Sequence, residues 1–513
     1  MWILSVFVIY LVVLAGIGVY CMRFNRTLED FVLGGRKMGV WVTAISAQAS
    51  DMSAWLLVGL PAYAYATGLS AIWMLVGCSA GIIFNWVVIA PRLRRDSERY
   101  GSLTIPDYLA SRYAGGWPLV RIASVLIILL GYATYIASQF IAAGKVFATT
   151  FGRVETPWGV LSISYHEGML IGIGIILLYT IMGGFMAVSW TDLAQGMLMV
   201  LTVVILPIVG VIAVGSLALV GDKLHAFDPE ILSVAGKSVE GAGIISTSGA
   251  AFWIGLVLGN MSYGPGYPGQ PHILVRFMAL EDPAKMRRAA IIGIVWSVLA
   301  MAGAIAVGLI ARVTLGSLGD ADQAMPSLAM RLMHPGIAGV MIAGAVAAMM
   351  STVDSQLLVA ASAVEQDIYI RLFGGKAHGK SAVWIGRITI LILGAAALPI
   401  AWGGESVLSK VLDAWGILGA GLGPVVTIGL LSKRANRYGA FTGMIAGVST
   451  VYFWNWIAYF LKWRVQIFDV KELFATGLIP GFVLNIVLVL VVSLVTGGSR
   501  NQANSASSSV GGV

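Results

Sequence analysis

The stretch Ser46-Ala-Gln-Ala-Ser-Asp51-Met-Ser-Ala-Trp-Leu-Leu-Val-Gly-Leu-Pro61 sets an acid, three serines and a glutamine inside a long apolar segment. A carboxylate at bilayer depth costs at least about 2.5 kcal/mol, so an acid kept there is by default a working group. Asp51 reads as electrostatic support for a cation, or as a ligand during its entry. The competing reading is a buried carboxylate satisfied by helix-end amides.

A second polar insertion lies far along the chain, in Ala347-Ala-Met-Met-Ser351-Thr352-Val-Asp354-Ser355-Gln356. Ala348, Ser351 and Thr352 stand at i, i+3 and i+4 and share one helix face. Two hydroxyls and a carbonyl freed by Ser/Thr competition offer three neutral oxygens. A broken helix nearby adds carbonyls, most plausibly those of Ala49 and Met52. Such a set of hard, uncharged oxygens suits Na⁺; a divalent ion calls for more carboxylate, and zinc for His or Cys. The same hydroxyls also suit hydrogen bonding between membrane helices. Asp192, in Val188-Ser-Trp-Thr-Asp192, reads first as a helix cap and second as part of an ion exit. Asp354 belongs either to the ion path or to a vestibule beside it.

Aromatic residues collect near the same breaks. Trp55 follows Asp51 by one helical turn, Tyr263 and Tyr267 flank Pro265, and Tyr135 lies in an apolar run with Ser138. Apolar walls with a few placed polar groups make a small-molecule site, although packing and interfacial anchoring account for most membrane aromatics. His272 reads as a hydrogen-bonded structural histidine. The chain has no metal-ligand spacing of His and Cys, no phosphate-binding loop and no nucleotide fingerprint, so ATP-driven transport has no support in it.

The elements that must position these residues are membrane helices. Of 513 residues, 58% are hydrophobic and 11% charged, against about 25% charged in soluble domains. Apolar runs near 20 residues, the span of a bilayer helix, recur throughout. That excludes a soluble enzyme, and the absence of alternation excludes a membrane β-barrel. Cys21 and Cys78 both fall in apolar runs, so no disulfide framework is implied. The net charge of +8 reflects basic loops rather than nucleic-acid binding.

About thirteen spans are expected, over 2–22, 40–64, 68–91, 118–150, 166–183, 188–215, 249–273, 288–312, 336–368, 384–402, 409–431, 439–460 and 473–497. The first, lacking a basic leader and a cleavage site, reads as a retained span. Basic loops follow the odd-numbered spans: Arg23, Arg26, Arg36 and Lys37, then Arg92, Arg94, Arg95, Arg99 and Arg112, then Arg276, Lys285, Arg287 and Arg288, then Arg371, Lys376 and Lys380, then Lys433, Arg434 and Arg437. The positive-inside rule then puts the N-terminus outside and the C-terminus in the cytoplasm. The loop 461–472, with Lys462, Arg464 and Lys471, runs against that trend.

Two segments are interrupted. One carries Asp51 and Pro61; the other, Asn260-Met-Ser-Tyr-Gly-Pro-Gly-Tyr-Pro-Gly-Gln-Pro271, holds three prolines and cannot be a continuous helix. They lie five spans apart, the layout of two five-helix repeats that each begin with a broken helix and insert in opposite senses. The expected organisation is therefore an all-α polytopic membrane protein with a five-plus-five inverted-repeat core. Residues 1–39 form the first span and its loop, 40–431 the core (40–215 and 249–431 as its repeats), 432–497 two further spans, and 498–513 a disordered tail.

Four anchors, in this order, resemble the sodium/solute symporter family, most closely its sodium/proline branch: Glu29-Asp-Phe-Val-Leu-Gly-Gly-Arg36; Ala49-Ser-Asp-Met-Ser53 with Gly59-Leu-Pro61; Gly266-Tyr-Pro-Gly-Gln-Pro-His-Ile-Leu-Val-Arg-Phe-Met278; and Met350-Ser-Thr-Val-Asp-Ser-Gln-Leu-Leu358. The resemblance implies alternating access driven by a sodium gradient, with L-proline as cargo. It puts Na⁺ on the carbonyls of Ala49, Met52 and Ala348 and the hydroxyls of Ser351 and Thr352. Asp51, Ser53, Asp192 and Asp354 are assigned to ion coupling. Ser50, Trp55, Tyr135, Tyr263, Tyr267, Gln270 and Pro271 are assigned to the substrate. Ala54, Tyr263 and Pro265 depart from the family pattern, and the last two touch the substrate set. The expected partners are a small solute, Na⁺ as coupling ion and the bilayer of a bacterial inner membrane. No other cofactor, enzymatic activity, nucleic acid or obligate protein partner is expected. Two other readings remain beside proline import: the same mechanism with another small amino or carboxylic acid, and a solute-binding membrane sensor.

Overall fold

The computed structural model describes residues 2–22, 28–113, 117–152, 154–156, 159–180, 184–235, 257, 259–375, 380–454, 456–457 and 477–497. Part of the seventh expected span (249–256 and 258), the 461–472 loop, residues 473–476 and the tail 498–513 lie outside them. So do Arg23, Arg26 and Lys376 of the basic loops.

The described chain is helical apart from one small antiparallel hairpin, β1 (Val154–Thr156) and β2 (Gly159–Leu161), in which Val154 faces Leu161. Described helix falls within every expected span. Nine helical stretches among the described residues are long and apolar enough to cross a bilayer. One of these, Trp55–Arg99, takes in the end of the second expected span and all of the third. The chain turns between them at Gly68, whose φ is +70° and whose Cβ position is filled by the Ile231 carbonyl, so only glycine fits.

The peripheral helices show what the apolar composition is for. α1 (Trp2–Met22) buries only 17% of its most apolar stretch within the protein and leaves Trp2, Val8, Ile9, Val12 and Val13 exposed. In contrast, the most apolar stretch of α16 (Pro335–Ser362) and the wider turn Ala363–Ile370 that follows it is 83% buried. α18 (Val407–Leu431) is 78% buried. The rim helix α1 is the most apolar of the three because one side of it meets lipid tails, whereas α16 and α18 meet protein nearly all round.

Both interruptions expected from sequence are present. The second span divides into α3 (Val40–Asp51), a wide turn at Trp55–Gly59 and α4 (Leu60–Thr67). The wide turn is explained by Pro61. It lacks an N–H and its ring crowds the carbonyl four residues back, so the Leu60 amide reaches Trp55 O instead. Pro91 has the same effect after α5 (Ile72–Phe84): Asn85–Ile89 widens before α6 (Ala90–Arg99), and the Ala90 amide reaches Asn85 O.

The seventh segment divides into α12 (Gly259–Met261), a tight turn at Gly264–Gly269, an extended Gln270 and α13 (Pro271–Ala279). Irregular backbone inside a bilayer persists only where protein satisfies it. Here Trp415 Nε1 donates to Tyr263 O (2.9 Å), Asn85 Nδ2 to Tyr267 O (3.3 Å) and Gln270 Nε2 to Gly266 O (3.2 Å). α3 packs among α13, α16, α10 (Phe185–Val214) and α14 (Met286–Leu315), so both broken segments meet in the interior.

Candidate functional site

The break after Asp51 follows from a gap in the helical ladder between the Met52 and Leu56 amides. The Ala54 amide donates to Gln139 Oε1 (2.9 Å) and the Trp55 amide to Ser53 Oγ (3.2 Å), instead of to Ser50 O and Asp51 O. Both carbonyls are thereby freed. Ser50 O accepts from Thr352 Oγ1 (3.0 Å), and Asp51 O accepts from Trp55 Nε1 (3.1 Å) and Tyr135 OH (3.4 Å). The ladder resumes with the Leu56 amide on Met52 O (3.1 Å). Met52 O, expected among the ion ligands, accepts the Leu56 amide, and Ser50 O is the carbonyl that meets Thr352 on α16.

On α16, Ser351 Oγ donates to Ala49 O (2.9 Å) and Ala348 O (3.1 Å), while Thr352 Oγ1 also reaches Ala348 O (3.2 Å). Five neutral oxygens thus converge: the carbonyls of Ala49, Ser50 and Ala348 and the two hydroxyls. All five residues are fully buried. A hydroxyl that turns its proton away offers a lone pair, so this set can take a weakly held monovalent cation. Asp51 stands beside it, fully buried, facing Tyr267 and Cys78, with neither carboxylate oxygen hydrogen-bonded among the described residues.

Asp192 does not cap a helix. Gly184 precedes α10, and Asp192 lies two turns inside it with no exposure. Its Oδ2 accepts from Ser46 Oγ (2.7 Å), Ser50 Oγ (3.1 Å) and an Arg276 terminal nitrogen (3.2 Å). Arg276 also donates to Ser46 Oγ (3.2 Å), His272 O (2.7 Å) and Ser355 Oγ. Arg276, expected among the loop charges, is instead wholly buried in α13. Only a paired guanidinium can sit there, since an unpaired buried charge is far costlier. Asp354 is likewise buried; one carboxylate oxygen accepts from Thr180 and the other has no partner among the described residues. His272 is held by Tyr132 OH (3.3 Å), as a structural histidine should be.

Beside the break lies a cavity bordering about 290 Å³ of empty space. It is lined by Trp55, Met74, Cys78, Tyr263, Tyr267, Leu408, Val411, Leu412 and Trp415. Of the expected substrate residues, Trp55, Tyr263 and Tyr267 meet here. Tyr135 adjoins the break through Ser53 Oγ (3.3 Å), and the Ser50 hydroxyl joins Asp192 and Ser355. Gln270 and Pro271 are buried outside the lining.

Sequence reasoning missed Gln139, Ser46, Ser355 and the α18 wall. Gln139 carried a usable signal, a polar side chain in an apolar run; the face of α18 is ordinary apolar sequence and carried none. Away from the cavity, Lys145 Nζ pairs with Asp320 (2.9 Å) and Asp322 (2.7 Å), and Asp322 also accepts from the Val407 amide (3.2 Å). Burial pushes the Asp322 carboxyl above the usual carboxylate range, with the Lys145 ammonium pulling the other way. Arg121 joins Asp107 (2.9 Å) to Asp367, tying α7 (Ile105–Tyr113) and α8 (Pro118–Phe151) to the end of the α16 segment.

Residues 31–447 match the model of the sodium:solute symporter family. The chain is 36% identical over 486 residues to the High-affinity proline transporter PutP of Bacillus subtilis (strain 168), covering 94% of this chain and 95% of that one. It is 35% identical over 501 residues to the Sodium/proline symporter of Escherichia coli (strain K12), covering 96% and 92%. Among solved structures it superposes on a Na⁺-coupled sialic acid symporter in a substrate-bound outward-open state, with a TM-score of 0.76 at 19% identity, covering 97% of this chain and 98% of that one. A closed nucleobase-cation-symport-1 family transporter, MHP1, matches with a TM-score of 0.53 at 14% identity, covering 92% and 96%.

Proposed function

Since this chain belongs to the sodium:solute symporter family, we propose that it imports L-proline together with Na⁺ by alternating access. The observation that carries this reading is the meeting of Ser351 and Thr352 with the carbonyls of Ala49 and Ser50. Those neutral oxygens hold Na⁺ weakly enough for release on the far side. Because two of them belong to the break that also presents Trp55 to the cavity, Na⁺ binding fixes the shape of the solute site. Asp51 supplies negative charge beside both, and Ser53 and Tyr135 brace the break. Asp192 and Asp354 act in ion passage, through the buried hydroxyls around them.

The transporter reading places the protein in a bacterial inner membrane. The N-terminus is outside, the C-terminus is in the cytoplasm, the spans number thirteen, and residues 40–431 form a five-plus-five core. The relatives' names supply proline as cargo; the apolar cavity supports a small, compact solute. Tyr263, which lines the cavity and departs from the family pattern, favours a second reading with another small amino acid as cargo. Uptake of labelled proline into proteoliposomes tests both. An inward Na⁺ gradient should drive it, and excess unlabelled proline should abolish it. Uptake that persists when choline replaces Na⁺ contradicts the coupling, and Na⁺-driven uptake of another amino acid in preference to proline contradicts the cargo.

A further inference from the structure

One wall of the cavity is a single face of α18. Leu408, Val411, Leu412 and Trp415 stand at i, i+3, i+4 and i+7 and all four line it. Trp415 differs from the other three because it grips the broken segment at three successive points. Its Nε1 donates to Tyr263 O at 2.9 Å. Its indole lies against Gly266, where an added Cβ would collide with the ring. Its ring meets Tyr267 edge-to-face with centroids 4.8 Å apart. Only 4% of the side chain is exposed. Tyr263 and Tyr267 also line the cavity. Their spacing is therefore referenced to one indole on a neighbouring helix, and Gly266 is glycine because that indole fills the space a side chain would need.

We infer that Trp415 is the size-determining residue of the solute cavity: its indole fixes how far the Tyr263–Tyr267 turn stands from α18, and so which ring size of cyclic amino acid the cavity accepts. The inference rests on the proposed amino-acid transport. It gives the site a substrate class, small α-carboxylated saturated nitrogen rings, and a residue that sets the upper limit. A pocket that discriminates by one methylene does so about tenfold or more when its wall cannot yield. Loss of the indole both removes part of the wall and frees the Tyr263 carbonyl, so the limit should rise.

The test is competition against labelled proline in proteoliposomes, using the four-, five- and six-membered homologues azetidine-2-carboxylate, proline and pipecolate. In Trp415→Phe the inhibition constant of pipecolate relative to that of proline should fall about tenfold. Trp415→Tyr, which keeps a donor near Tyr263 O, should fall between Phe and the parent. Gly266→Ala, which pushes the indole toward the cavity, should shift preference the other way, toward azetidine-2-carboxylate. It also serves if Trp415→Phe is not recovered folded. A purely structural tryptophan would lower yield or total uptake and leave the homologue ratios alone. Ratios within about twofold of the parent, a small fraction of the one-methylene discrimination, in the variants that transport would overturn the inference. Failure of the unaltered protein to take up proline with Na⁺ would instead remove the reading on which it rests.

Discussion

The Thr352 hydroxyl donates to the Ser50 carbonyl at 3.0 Å, joining two polar insertions 302 positions apart. Each insertion alone is an expensive anomaly in apolar sequence. Together they make one buried cluster of neutral oxygens. Thr352→Ala removes one of the five converging oxygens and leaves Ser50 O without its donor. The Na⁺ concentration giving half-maximal proline uptake should then rise about tenfold or more, equivalent to about 1.4 kcal/mol. Ser53→Ala should have a smaller effect, since among the described residues Ser53 Oγ hydrogen-bonds only to the Trp55 amide and Tyr135 OH. Equal Na⁺ dependence in Thr352→Ala and the parent would take α16 out of the ion site.

Gln139 is what allows the helix to stay open at Ala54. Its Oε1 is the acceptor for an amide that has left the ladder inside a bilayer, and a buried donor without a partner costs about 1–3 kcal/mol. Gln139→Leu should therefore lower the unfolding temperature of the purified protein and weaken proline uptake at fixed Na⁺. Gln139→Glu, which keeps an acceptor, should retain more uptake than Leu. Equal uptake in Gln139→Leu and the parent would show that the break is held by other contacts.

The Asp192–Arg276 pair is wholly buried on both sides. Breaking such a pair by removing one partner costs about 3–5 kcal/mol, because the remaining charge is stranded. Arg276→Leu should lower thermal stability markedly, and adding Asp192→Asn should recover a large part of the loss. Absence of any recovery in the double variant would mean that Arg276 is held chiefly by Ser46, Ser355 and His272 O rather than by the carboxylate.

Much of this arrangement is legible in the sequence, for reasons that can be named. Asp51 and the three prolines of 260–271 violate the chemistry of an apolar helix, so the two breaks stand out. Ser351 and Thr352 stand out because helical spacing puts them on one face with Ala348. What stays hidden depends on the other half of the bundle. Whether the Met52 or the Ser50 carbonyl meets α16 turns on where the ladder resumes, and the Leu56 amide decides that. Arg276 reads as a loop charge because basic residues cluster near membrane ends, and only the position of Asp192 on α10 reveals it as an interior partner. Trp415 sits in plain apolar sequence, and its part is set by Gly266 on another segment.

Proline binding to the purified protein, measured with and without Na⁺ at constant ionic strength, bears most directly on the claim that one broken helix serves both ligands. If the carbonyls of Ala49 and Ser50 and the side chain of Trp55 move as one unit, Na⁺ should tighten proline binding by about tenfold or more, a coupling of about 1.4 kcal/mol or above. Proline should tighten Na⁺ binding by the same factor, since coupling between binding sites is reciprocal. Proline affinity unchanged when K⁺ or choline replaces Na⁺ would contradict the shared break as the seat of coupling.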